Sequence, residues 1–218
     1  MTTNLRTESP LDRIISFLDH GLKNAAGCPP AAGRLIPTPP PGVESGPMSP
    51  QERRHAAGLM RVNHAGEIAA QALYHGQALV AQDRGVREFL MNSAREEGDH
   101  LVWCTARLQQ LGSRPSALAP MWYLGSALIG AAAGLAGDAI SLGFIAETER
   151  QVEAHIEQHL EKLPSTDEDS RAVLQQMKAD EIAHRKHALA RGGKELPSAL
   201  QGLMRNTAKI MTKSAYWL

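Results

Sequence analysis

One segment limits the possible folds more than any other: DAISLGFIAETERQVEAHIEQHLEKL, from Asp138 to Leu163. Within it Leu142, Ile145, Glu149, Val152 and Ile156 recur by threes and fours, the spacing of a helix face turned toward other helices. Glu149 sits in the middle of that face. A carboxylate among aliphatic side chains is costly to bury unless a cation, a hydrogen-bond partner or a metal ion compensates it. Glu147, Glu153 and Glu157 fall off the face and read as solvated charges. Compensation for Glu149 has to come from other parts of the chain.

The same spacing locates three more inward faces. Ser49, Pro50 and Glu52 form a helix start, with a serine cap, a proline at the first helical position and a glutamate placed to close a capping box. The helix they open runs to about Gln82 and aligns Met60, Asn63, Glu67, Ala70 and Tyr74. After the Asp83-Arg84-Gly85 turn, a second helix from Val86 to Leu111 aligns Val86, Leu90, Ser93, Glu97, His100 and Cys104. The third is expected from about Trp122 to Leu163, and the fourth from about Ser170 to Ala190, aligning Leu174, Met177, Glu181, His184 and Ala188. Apolar residues make up 43% of the chain but aromatics only 4%, which suits helices packed closely together. An all-α fold built on a four-helix bundle follows, each helix carrying one inward glutamate.

The flanks divide the rest. Residues 1–27 hold an amphipathic helix with Leu11, Ile14, Ile15, Leu18 and Leu22, most simply laid on the main body, alternatively meeting a membrane or a partner. Residues 28–49 are too rich in proline for a helix or central strand and form an extended connector. Residues 50–218 form the main domain. It ends in a helix opened by Pro197, with Leu200, Leu203, Met204, Ile210 and Met211 on one side and Arg205, Lys209 and Lys213 along another.

Taken in order, the inward polar residues are Glu67, then Glu97 with His100, then Glu149, then Glu181 with His184. A dinuclear metal site in a helical bundle asks for this set: one glutamate from each of two helices and a Glu-x-x-His pair from each of the other two. Residues three apart project from adjacent turns of one face, so each pair converges. Glu67 precedes Glu97 by 30 residues and Glu149 precedes Glu181 by 32, enough in each case to run out along one helix and return to the same level. Carboxylate oxygens with one imidazole per metal suit iron or manganese better than structural zinc. The alternative is a set of buried salt bridges and satisfied histidines, against which stands the scarcity of inward cations.

Nearby residues are weighed the same way. Glu52 and His55 also fit Glu-x-x-His, but Glu52 is better used by the capping box. His155 is placed to hydrogen-bond a metal ligand or to be a half-exposed histidine, and Asn63 and His64 invite a similar reading. Glu96 and Glu147 are the substitutes if the helical register shifts.

A net charge of zero gives no sign of a nucleic-acid partner. Cys28 and Cys104 make neither a disulfide framework nor a CxxC site, which fits a reducing cytoplasm. The N-terminus lacks a secretory pattern, so the mature chain is expected to begin near Met1. Residues 115–137 carry no charge and are as long as a membrane span. A single crossing there would put Glu67 and Glu97 across the bilayer from Glu181, so no span is expected.

Arg61-Val-Asn-His-Ala-Gly-Glu67, Glu97-Gly-Asp-His100, Glu149 followed by His155, and Glu181-Ile-Ala-His184 together resemble the demethoxyubiquinone hydroxylase family of ubiquinone biosynthesis, in its bacterial branch. The likeness runs from about Ser49 to Leu218. It implies a ferritin-like, up-down antiparallel four-helix bundle with two iron ions held by Glu67, Glu97, His100, Glu149, Glu181 and His184, the bridging pair being Glu97 and Glu181. It also implies an O2-dependent monooxygenase that hydroxylates a polyprenylated benzoquinol, fed by a reductant the sequence does not name. Such a substrate places the enzyme on a membrane surface, at the cytoplasmic face of the inner membrane, in reach of other ubiquinone-biosynthesis proteins. The small residues within 115–137 then suit close packing, a channel for the isoprenoid tail or shallow insertion. A ferritin- or rubrerythrin-like iron-storage or peroxidase protein is the rival with the same ligands.

Overall fold

The computed structural model describes residues 10–25, 28, 31 and 33–218. Its helices are α1 (Pro10–Ala25), α2 (Pro50–Val80), α3 (Arg84–Gln110), α4 (Ala119–Leu135), α5 (Asp138–Lys162), α6 (Glu168–Ala190) and α7 (Ser198–Trp217), and no strand occurs among the described residues. Helix α2 begins on the expected capping box: the Glu52 amide donates to Ser49 Oγ at 3.2 Å and the Ser49 amide to Glu52 at 2.8 Å.

Helices α2, α3, α5 and α6 form the bundle. At one end the Asp138 carboxylate accepts from the amides of Gln82 and Asp83, at 3.2 and 2.7 Å, tying the start of α5 to the α2–α3 turn. At the other end Arg107 of α3 donates to Asp167, the cap of α6, at 2.7 Å, while His55 of α2 meets the carbonyl of Lys162 at 3.0 Å. So α2 and α6 run one way and α3 and α5 the other, and neighbours in the bundle are antiparallel. This is the ferritin-like arrangement, with one long crossover between two helical hairpins.

That crossover corrects one expectation. The single helix foreseen from Trp122 to Leu163 is two helices, broken where Gly137 adopts φ +104°, a conformation that favours glycine. Helix α4 climbs the outer side of α2, and the chain then turns back into the bundle as α5. The climb needs small residues: a Cβ on Gly76 would lie 2.1 Å from the Ala127 carbonyl oxygen, and one on Gly130 2.3 Å from that of Leu73. The glycine and alanine run therefore serves close packing. No helix of the described residues is long and apolar enough to cross a membrane.

Helix α1 also differs from its simplest reading. It lies against α2 and α4 through Phe17 and His20, whose ring is 4.4 Å from that of His75. Its stripe of Leu11, Ile14, Ile15, Leu18 and Leu22 instead faces out, 47% to 71% exposed. Helix α7 divides its apolar residues. Leu200 and Met204 pack on Phe144, and Met211 and Ala215 on Val62 and Ala65, while Leu203, Ile210 and Trp217 are exposed.

Inside the bundle two apolar clusters lie along the four inward faces. One gathers Met60, Trp103, Cys104, Ile156, Leu174 and Met177; the other Tyr74, Leu90, Leu142, Ile145 and Ala188. In sequence these clusters flank Glu67, Glu97, Glu149 and Glu181 on every bundle helix. Each large side chain buried there contributes about 1.5–3 kcal/mol, which offsets the cost of a polar layer between them.

Candidate metal centre

The six inward polar residues meet in that layer. Glu67, Glu97, His100 and Glu181 form one group and Glu97, Glu149, Glu181 and His184 a second, each offering ligand atoms within 4.8 Å of one another, and all are buried. Glu97 and Glu181 belong to both. Helix α2 brings Glu67, α3 brings Glu97 and His100, α5 brings Glu149, and α6 brings Glu181 and His184.

The imidazoles point their Nδ1 atoms inward. His100 Nδ1 lies 3.2, 3.0 and 3.3 Å from Glu67, Glu97 and Glu181, and His184 Nδ1 lies 3.1 and 3.5 Å from Glu97 and Glu181. Their Nε2 atoms point outward, each to a carboxylate of the opposite hairpin. His100 Nε2 meets Asp180 at 2.9 Å, and His184 Nε2 meets Glu96 at 2.6 Å. An Nε2–H that donates to a carboxylate leaves Nδ1 with its lone pair free for a metal. Tyr74 donates its hydroxyl to Glu149, giving the most apolar-flanked glutamate one partner.

Electrostatics in the layer are dominated by burial and like charge. Burial, reinforced by Glu97, pushes Glu67 well above the ordinary carboxylate range, and burial with Glu181 does the same to Glu149. Burial also acts to raise Glu97 and Glu181, but the neighbouring imidazoles outweigh it and hold both low. Burial disfavours charge on His100 and His184 as well, yet the surrounding carboxylates raise both. Burial and Glu149 together raise Tyr74, so its hydroxyl keeps its proton.

Protons thus neutralise a cluster that takes no help from Lys or Arg: among the described residues the ion-pair partners of Glu67, Glu97 and Glu181 are the two histidines. Two divalent cations would balance four carboxylates. The close approaches inside the layer leave donor atoms without a hydrogen bond: Glu97 Oε1, Glu149 Oε2, both Glu181 oxygens and His184 Nδ1 are buried and make none. Buried polar groups are rarely left this way. Hard oxygens with one imidazole on each side fit iron or manganese.

Other expectations land elsewhere. His155 is in neither group: its ring lies 3.9 Å from that of His159, and its Nε2 has no hydrogen-bond partner. Asn63 donates to the Leu59 carbonyl, and His64 meets Thr105 at 3.1 Å. Glu52 is spent on its cap and His55 on Tyr216 and the Lys162 carbonyl. Glu147 is not the solvated charge expected of it; α7 covers it, and Arg150 and Gln151 pair with it. Asp180 was not singled out at all, and Glu96 only as a register substitute. Their signal was available, because an acid immediately precedes the glutamate of both inward Glu-x-x-His pairs.

A bundle of two hairpins with one external crossover and a buried carboxylate-imidazole layer defines the ferritin-like class of helical proteins. Within that class, the chain belongs to the family described as "Ubiquinone biosynthesis protein COQ7", whose profile matches residues 54–215. A relative from Nitrosococcus oceani, named 3-demethoxyubiquinol 3-hydroxylase, is 52% identical over 213 residues, 98% of this chain and 99% of its own length. Relatives of the same name from Bordetella petrii and Legionella pneumophila are 50% and 49% identical, each across 98% of this chain and 94% and 100% of their own. The likeness therefore extends N-terminal to residue 49, where the motifs placed its start, through the proline-rich segment and into residues 1–27.

Proposed function

We propose that the chain is an O2-dependent monooxygenase that hydroxylates 3-demethoxyubiquinol, a polyprenylated benzoquinol, on the pathway to ubiquinone, using two iron ions. The observation that carries this reading is the pair of overlapping groups sharing Glu97 and Glu181, in a chain whose relatives bear that enzyme's name.

Glu67 and His100 would hold one iron and Glu149 and His184 the other, with Glu97 and Glu181 within reach of both. When bound, the pair of irons supplies the electrons with which O2 is activated for insertion of one oxygen into the quinol ring. The protein's own residues set the conditions. Asp180 and Glu96 keep the proton of each imidazole on Nε2, so that both Nδ1 atoms face the metals. Tyr74 holds Glu149 in place through its hydroxyl, and the apolar clusters limit water around the layer.

The isoprenoid tail brings the protein to a bilayer, at the cytoplasmic face of the inner membrane in this reading. Supporting it, three helices on the outer side of α2 present apolar side chains to solvent: Ile15 and Leu22 on α1, Leu124 and Leu128 on α4, Ile210 and Trp217 on α7. The exposed Arg205, Lys209 and Lys213 of α7 add attraction for anionic lipid. A bilayer suits these faces better than iron storage does.

The test is conversion. Iron-loaded protein given demethoxyubiquinol, a reductant and 18O2 is expected to yield a product heavier by one labelled oxygen. Peroxide consumption without labelled quinol would assign the centre to the peroxidase class instead. In flotation with anionic vesicles, R205Q/K209Q/K213Q is expected to bind more weakly; unchanged flotation would leave α7 a packing element.

A further inference from the structure

The proline-rich segment runs beside the candidate centre and places Arg34 there. Arg34 Nε donates to Asp99 at 2.8 Å and its Nη1 to Asp180 at 2.7 Å, while its guanidinium lies 4.8 Å from the centre of the Trp103 ring. The Gly33 amide donates to the other oxygen of Asp99, also at 2.8 Å. Asp99 is 1% exposed and Arg34 is 34% exposed, so the carboxylate is buried beneath a guanidinium that still reaches solvent. The same oxygen of Asp180 that takes Arg34 also takes His100 Nε2. Gln176 holds the remaining oxygen at 3.0 Å.

We propose that Arg34 is a positioning residue for the metal bound at His100, acting through Asp180, and that the proline-rich segment is thereby a working part of the centre. This rests on the reading that the six residues bind two metals. A guanidinium fork reaches both aspartates from fixed directions and sets the place and plane of the Asp180 carboxylate. That carboxylate in turn fixes the ring orientation of His100 and so the direction of its Nδ1. Trp103, packed against both Arg34 and His100, closes the remaining side. On the other half Arg34 reaches only the backbone, its Nη2 donating to the Glu96 carbonyl at 3.5 Å. Glu96, the partner of His184, forms no ion pair with Lys or Arg among the described residues, and its side chain is 44% exposed.

The test is titration of the full-length metal-free protein with cobalt(II) alone, followed by its visible absorption and by calorimetry. Wild type is expected to take up a pair of ions. R34Q is expected to weaken one of them by about 10- to 100-fold and leave the other nearly unchanged, with helicity by circular dichroism intact. In the D180N background R34Q is expected to add little, since both changes act along one path. Additive losses, equal weakening of both ions, or full retention in R34Q would overturn the proposal. Should R34Q fail to fold, R34K keeps the charge and loses the fork, and is read by the same criteria. Absence of paired uptake in wild type would instead overturn the underlying two-metal reading.

Discussion

The two halves of the centre carry the same sequence device and different surroundings. In each, an acid, a glutamate and a histidine follow the pattern Asp/Glu-Glu-x-x-His, and the acid of one hairpin meets the histidine of the other. Around His100 the device is braced by Arg34, Asp99 and Trp103. Around His184 it opens on a cleft of about 590 Å³ whose lining includes Val86, Phe89, Asn92, Glu96, His187 and, from the His100 side, Asp180. A repeat in sequence thus gives a nearly two-fold arrangement of donor atoms whose symmetry is broken one layer out. One imidazole is held by a partner that is 16% exposed and fixed by a guanidinium, the other by a partner that is 44% exposed and has no such brace.

The largest effect tests whether the halves form one centre. Glu181→Ala removes a donor common to both groups, so both metals and all measurable hydroxylation are expected to be lost. Glu149→Ala removes a donor of one group only; iron content is expected to fall toward half, hydroxylation to stop and helicity to persist. Iron analysis with a product assay checks both variants. If Glu181→Ala cost no more metal than Glu149→Ala, the halves would be independent.

A smaller effect reads the difference between them. Asp180→Asn leaves Arg34 with a neutral partner and frees the plane of His100, so about a 100-fold loss of affinity at one metal is expected. Glu96→Gln acts where solvent can take over the hydrogen bond, and nearer 10-fold is expected. Competition with a chelator measures both. Equal losses would mean that the brace around His100 has no energetic consequence.

A third expectation concerns pH. Glu67, Glu149, His100 and His184 all have folded-state values raised above the ordinary ones, so at these four groups the metal-free native state binds more protons than the unfolded chain. Their contribution to stability is complete below the ordinary values, 4.5 for the glutamates and 6.5 for the histidines, and is lost as pH rises toward the raised ones. Glu97 and Glu181, held low, work in the opposite sense only below the ordinary carboxylate range. His64, His75, His155 and His159, lowered by burial to about 4, 3, 4 and 3, act in the opposite sense below the ordinary histidine value, so the melting temperature of the metal-free protein is expected to fall by a few degrees only from about pH 7 to about pH 8. Cations replace the protons, so loaded protein should change less. A metal-free melting temperature that rose across this window would contradict the assigned charges.

How much of this was legible follows from which contacts helical spacing encodes. The bundle and its six inward residues were readable because one polar residue in an apolar face repeats at the same level of every helix. Glu96 and Asp180 stand one residue, about 100° of helix, off those faces, where an acid ordinarily meets water. Only the arrival of a histidine from the opposite hairpin gives them work. Arg34 reaches Asp99 and Asp180 across 65 and 146 residues, a separation with no local signature. Amphipathic spacing likewise identified the apolar stripe of α1 but not the medium that meets it. The break at Gly137 was masked by the apolar continuity of α4 and α5.

The smallest expected effect separates motif from site. Glu52-Arg-Arg-His55 has the spacing of the working pairs and none of their setting: Glu52 is exposed in a helix cap, and His55 joins Tyr216 to the end of α5. His55→Ala removes hydrogen bonds that typically contribute about 1 kcal/mol each, which lowers the melting temperature by a few degrees at most. Metal uptake is expected to remain at the wild-type ratio, with both affinities unchanged on either side of the centre. A lost or weakened ion in that variant would mean that the spacing alone, apart from burial and an outer carboxylate, recruits metal, and the contrast drawn between the His100 and His184 surroundings would then lose its basis.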